Sequence, residues 1–171
     1  LRLIGFQPGR YPRHQSSAET LPVCLQVSHR FLEYKRLAEI AAVVFGKDAK
    51  NLNALMALGV AEQNLGRYDE AIEHLREYLK KVPDSSANVQ PLELDLGIAL
   101  IKRNQPRQAS EALVSLLTKD PYNSKAYLHL GRALVRLGRP ERARQFLEWT
   151  HKLAVAERET RHQAKYRNAG Q

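Results

Sequence analysis

The chain has 171 residues, 43% hydrophobic and 26% charged, with a formal net charge of +9, which is room for one domain with a real core and excludes a wholly disordered chain. A single cysteine, Cys24, excludes an internal disulfide framework and a four-cysteine zinc site. Apolar runs of only a few residues exclude a membrane-spanning helix.

Residues 1–26 carry Pro8, Gly9, Pro12, Ser16, Ser17 and Pro22 and are expected to be irregular. Leu1-Arg2-Leu3-Ile4-Gly5 lacks an initiator Met and the apolar core of a signal peptide, which reads as a processed chain or a piece of a longer one. Gly9-Arg10-Tyr11 echoes Gly66-Arg67-Tyr68 further on, as the edge of an upstream repeat would. Over 27–50, Phe31, Leu32, Tyr34, Leu37, Ala38, Ile40, Ala41, Val44 and Phe45 follow helical spacing up to about Gly46. This segment is expected to be a capping helix or a degenerate repeat, because its small-residue markers are out of register with those beyond residue 50.

Residues 51–155 repeat themselves. Leu58-Gly59, Leu96-Gly97 and Leu130-Gly131 occupy the same point of a helical pattern. Twelve residues after each Gly comes Ala71, Ala109 or Ala143, and four further on Leu75, Leu113 or Leu147. Pro83 and Pro121 close the first two units, and Val155 stands in the third. Gly97 and Gly131 are 34 residues apart and Gly59 and Gly97 are 38 apart, the extra residues falling in the linker Ser85–Pro91. A Gly within a helix costs about 1 kcal/mol against Ala, so three in register imply close approach of a second helix, with the Ala facing the Gly. Gly66 and Gly138 mark the ends of first helices, and Pro106 and Pro140 the starts of second ones. Asp84 and Asn123, beside the closing prolines, offer caps for the next helices.

These residues resemble the tetratricopeptide repeat, a helix–turn–helix unit with a small Gly, a small Ala and a terminal Pro at this spacing. The resemblance implies an all-α right-handed superhelix of antiparallel pairs at 51–83, 88–121 and 123–155, with capping helices at both ends. The family's leading aromatic is replaced by Leu55, Glu93 and Tyr127, and its Tyr after the Gly by Glu62, Leu100 and Leu134.

The family's geometry places the first helix of each pair on the concave side. The implied groove residues are Asn53, Met56, Val60, Gln63 and Asn64 in the first unit. The second supplies Leu94, Ile98, Ile101 and Lys102, and the third Lys125, Leu128, Arg132, Val135 and Arg136. One end is thus expected to be apolar and the other cationic, a groove for a peptide with apolar anchors and acidic groups. Family members that clamp a chaperone's C-terminal carboxylate use positions held here by Met56, Val60, Asp95, Lys125 and His129. Only Lys125 fits that role, and Asp95 repels a carboxylate.

No catalytic or metal site is expected, and no cofactor. The histidines at 14, 29, 74, 129, 151 and 162 are scattered, and His151 and His162 lack a third ligand. Phosphate-cradling GxGxxG and GxxxxGK[ST] loops and a GxSxG elbow do not occur. Cys24 reads as a small core hydrophobe and Trp149 as an anchor of the last helix.

Beyond Leu153 the helix opened by Pro140 has no stop, so residues 156–171 are expected to extend it as a basic tail with Glu157 and Arg161 paired one turn apart. Residues 121–171 hold eleven basic and four acidic side chains, against eight and four in 1–50 and eight and ten in 51–120. The sequence therefore reads as a protein-interaction scaffold whose partner is a protein or peptide. Other readings are nucleic-acid binding through Arg136, Arg139, Arg142, Arg144, Lys152, Arg158, Arg161, Lys165 and Arg167, an accessory module of a larger enzyme, and self-association.

Overall fold

The computed structural model describes the backbone of residues 17–169 and the side chains of 30–160 apart from Glu157. Among these residues it is all-helical. The elements are α1 (Ser17–Lys47), α2 (Leu52–Asn64), α3 (Tyr68–Lys81), α4 (Val89–Lys102), α5 (Pro106–Lys119), α6 (Ser124–Arg136) and α7 (Pro140–Ala169). Helix α1 starts at Ser17, so residues 17–26 are helical and not irregular. Pro22 lies in its second turn. The echo at Gly9-Arg10-Tyr11 lies outside the described residues.

Each turn within a pair is set by one left-handed residue. Gly66, Asn104 and Gly138 have φ of 78°, 57° and 70°, a conformation open to Gly and tolerated by Asn. The N–H just after each turn reaches back to close the helix: Arg67 to Glu62, Gln105 to Leu100 and Arg139 to Leu134, each at 2.9 Å. At the starts of α2 and α6, Asn51 and Asn123 cap through their side-chain oxygens, which accept from Ala54 N and Ala126 N at 3.0 Å. Asn88 precedes α4 without a side-chain cap.

Packing explains the glycines differently from the sequence expectation. A Cβ at Gly59, Gly97 or Gly131 would lie 2.7–2.9 Å from Cγ and Cδ2 of Leu75, Leu113 or Leu147. The close neighbour is thus the Leu sixteen residues on, not the Ala twelve on. The alanines are buried in the same interface. Around them Leu55, Leu75, Leu100, Leu113, Leu116 and Leu130 form one continuous buried row through the three pairs.

The order of contacts gives the array its curvature. Successive helices pack on each other, and in addition α2 touches α4 and α4 touches α6. Among the described residues, the second helices α3, α5 and α7 make no such contact with one another. First helices are therefore drawn together on the inner side and second helices splay outside, which bends the stack around α2, α4 and α6.

Two departures from the repeat pattern are accommodated by polar partners. Buried Glu62 lies 2.6 Å from His74 Nδ1, and Phe45 of α1 meets the His74 ring edge-on at 6.2 Å. Burial raises the Glu62 carboxyl above its ordinary range, opposed by the hydrogen bond and charge of His74. Buried Glu93 accepts from Lys119 Nζ at 2.8 Å and Ser115 Oγ at 3.3 Å through Oε1. Lys119 also bonds Asp84 at 3.0 Å, tying the linker to α5.

Candidate functional site

The expected groove residues lie on the inner helices, and the structure gathers only some of them. A hollow of about 400 Å³ opens between α4 and α6, lined by Ile98, Ile101, Lys102, His129, Arg132, Val135, Arg136 and Leu147. Helical spacing aligns them: Ile98, Ile101 and Lys102 follow one face of α4, and His129, Arg132, Val135 and Arg136 one face of α6. Apolar and cationic groups are therefore mixed in a single hollow, contrary to the expected division between two ends. Among the described residues lining it there is no carboxylate.

Ile101 is 5% exposed, a core residue whose edge forms the floor, so its role differs from the open groove position expected. Arg136 crosses from α6 to α4 and donates from Nη1 to the carbonyl of Ile101. That bond fixes one guanidinium at the rim, on a carbonyl that also accepts from Asn104 N at 3.1 Å. Lys102 and Arg132 are exposed beside it.

Burial and the neighbouring cations act in the same direction on His129. Burial, together with Arg132 and Lys102, lowers its pKa to about 4, so the imidazole is neutral near neutrality. One turn earlier on α4, burial pushes Asp95 up to about 6, opposed by Lys125. Asp95 thus sits beside a cation.

The remaining expected positions lie elsewhere along the inner face. Leu94 and Lys125 line a second hollow of about 380 Å³ with Gln90, Pro91, Asp120, Tyr122, Asn123 and Ser124. In the first unit, Met56 and Val60 are half-buried against the core. Asn64 is engaged locally, donating to Val60 O at 2.7 Å and to Gln63 Oε1 at 3.4 Å. Asn53 is exposed and Leu128 half-buried. Leu147 lines the hollow although it was not among the expected groove residues, and His129, which stands at one of the family's carboxylate-clamp positions, lines it too. Leu147 was signalled only by its place sixteen residues after Gly131, and His129 by that clamp position and by its turn-by-turn spacing with Arg132 and Arg136.

Trp149 is 53% exposed, with Lys152 Nζ 5.2 Å above its ring, so it does not anchor α7. Phe146 does, stacked on Tyr127 at 6.0 Å. The described residues contain no group of three His, Cys, Asp or Glu side chains that could hold a metal. No helix among them is long and apolar enough to cross a membrane. Cys24, His14, His162 and the pair Glu157–Arg161 lie outside the described side chains.

Residues 52–90 match one tetratricopeptide repeat family model and residues 100–149 another, together more than half of the chain. This is a tetratricopeptide repeat protein. The fold is similar to that of MamA MSR-1, with a TM-score of 0.67 at 18% identity over 73% of this chain and 70% of that one. For MamA AMB-1 the TM-score is 0.64 at 18% identity, over 75% and 72%. A further MamA crystal structure gives 0.58 at 20%, over 82% and 75%. The tetratricopeptide repeats identify the chain as a protein–protein interaction scaffold.

Proposed function

We propose that the inner face binds a partner segment that places an apolar side chain on Ile98, Ile101 and Val135 and a carboxylate among Lys102, Arg132 and Arg136. In this reading the chain carries no reaction of its own. The observation that supports it is the lining of the hollow between α4 and α6: an apolar floor, three cations at the rim and no carboxylate among the described residues. Cations at the rim steer an acidic partner, and the floor supplies the buried contact that sets its lifetime. Met56 and Val60 of α2 and Leu94 of α4 are further partly buried hydrophobics of the inner helices.

The test is binding of short fluorescent peptides that combine Leu or Phe with Asp or Glu, against matched peptides with Lys in place of the acids. The acidic set is expected to bind, and Ile98→Asp or Arg132→Glu to weaken it about 10- to 100-fold while helical circular dichroism is retained. Met56→Asp is expected to weaken longer peptides that reach the first unit. Equal binding of acidic and basic sets, or unchanged binding by both Ile98→Asp and Arg132→Glu, overturns the reading. A random RNA probe is run beside them, since α7 exposes Arg142, Arg144, Lys152 and Trp149. Tight, steeply salt-dependent capture of that probe alone would assign the basic helix instead.

A further inference from the structure

Two residues before each repeat glycine, the first helices carry Ala57, Asp95 and His129. Asp95 is the acid among them. It is half-buried on α4, one residue after Leu94 and three before Ile98, and so lies between the two hollows that those residues line. Its carboxyl takes no side-chain hydrogen bond among the described residues. Burial lifts its pKa to about 6, and the opposing charge of Lys125 is too weak to restore the ordinary value. Lys125 is itself exposed and acts on Asp95 by charge alone. A carboxylate stripped of water without a donor costs the fold stability, and on a binding face the missing donor is the partner's to supply.

The same spacing recurs on both sides of the seam between α4 and α6. Asp95 and Lys102 are seven residues apart on α4, and Lys125 and Arg132 are seven apart on α6. Seven residues are two helical turns, so each pair returns to one face about 10 Å along the axis. Asp95 with Lys125 therefore forms one rung across the seam, and Lys102 with Arg132 another. One rung holds an acid and the other only cations. Extended chain advances about 3.3 Å per residue, so about 10 Å is three positions of a segment lying along the seam.

On the reading that the inner face holds the partner, we propose that Asp95 is a second subsite, which receives a Lys or Arg side chain of the partner three residues from the carboxylate held among Lys102, Arg132 and Arg136. An ammonium or guanidinium donates the hydrogen bonds that the half-buried carboxylate lacks, and Lys125 swings into solvent. An acid at that place meets Asp95 and is repelled. The two rungs thus fix the register of the segment and reject one that is acidic throughout.

The experiment is fluorescence anisotropy with three short peptides that share a Leu and differ at two sites three residues apart: Glu with Lys, Glu with norleucine, and Gln with Lys. Each is made in both chain directions. In one direction, Glu with Lys is expected to bind the whole chain about 10-fold tighter than Glu with norleucine. Asp95→Asn is expected to bring those two peptides level with helical circular dichroism retained, and Lys125→Ala to widen the gap between them. If Glu with Lys binds no better than Gln with Lys, the carboxylate hollow fails and this subsite with it. If the Glu peptides bind but Lys adds nothing in either direction, or its gain survives Asp95→Asn, the subsite alone is overturned.

Discussion

Leu75 rests on Gly59 so closely that a Cβ there would sit 2.8 Å from its Cγ and Cδ2, with the Leu75 backbone N at 3.3 Å. Leu113 meets Gly97 in the same way, and both leucines are fully buried. Gly97→Ala is expected to lose about 1–3 kcal/mol, because overpacking a closed interface exceeds the gain in helix propensity of about 1 kcal/mol. Gly131→Ala is expected to stay within about 1 kcal/mol of wild type, since Leu147 is 37% exposed and free to swing outward. Urea unfolding followed by circular dichroism compares the two directly.

His74→Ala removes the one side-chain hydrogen bond shown for buried Glu62. The expected loss is about 1–3 kcal/mol at neutral pH, the cost of leaving a buried polar group unsatisfied. The variant is expected to recover stability as pH falls, because protonation relieves the buried carboxylate. A flat difference between variant and wild type from pH 7 to pH 4 would contradict this assignment.

Asp95 carries a proton more readily folded than unfolded, with a folded pKa of about 6 against an ordinary 3.8. Its contribution to stability is fully present below 3.8 and is lost as pH rises through 6. Asp95→Asn is therefore expected to stabilise the fold at pH 7, by about 1–2 kcal/mol after allowance for partial exposure and Lys125. The gain should vanish below pH 4, and thermal melts at the two pH values measure it.

His129 has the opposite sign. Its folded pKa of about 4 lies below the ordinary 6.5, so its contribution is complete above 6.5 and is lost as pH falls toward 4. Arg132→Ala is expected to move the titration upward, because it removes one of the cations that oppose imidazole protonation. An acidic peptide bound in the hollow is expected to do the same. Both shifts are read from the imidazole proton resonances between pH 3.5 and 8.

The repeat was legible because its constraints are local and recur. Gly66, Gly138, Pro106 and Pro140 punctuate the helices by their own backbone chemistry, and Asn123 caps by its side chain. The inner helices could be named from phase alone. The mixing of charge and apolar surface in one hollow could not, because it depends on how far α6 slides along α4. That offset sets Arg136 on the Ile101 carbonyl. The helical start of α1 was hidden for a different reason: Ser17 and Pro22 are turn formers taken singly, and only the spacing around them continues. Trp149 was misplaced because Phe146, three residues earlier, takes the inward position against Tyr127.

Contacts that link each helix only to those one or two places along the chain make unfolding a matter of position. Interior pairs are clamped from both sides. Among the described residues the α6–α7 hairpin has repeat contacts on one flank alone, so in this chain its amides should exchange with solvent ahead of those in α4 and α5. Loosening at that end would dismantle the hollow beside α6 while α2 and α3 remained folded, so capture of a partner can fail well below the temperature at which overall helicity disappears.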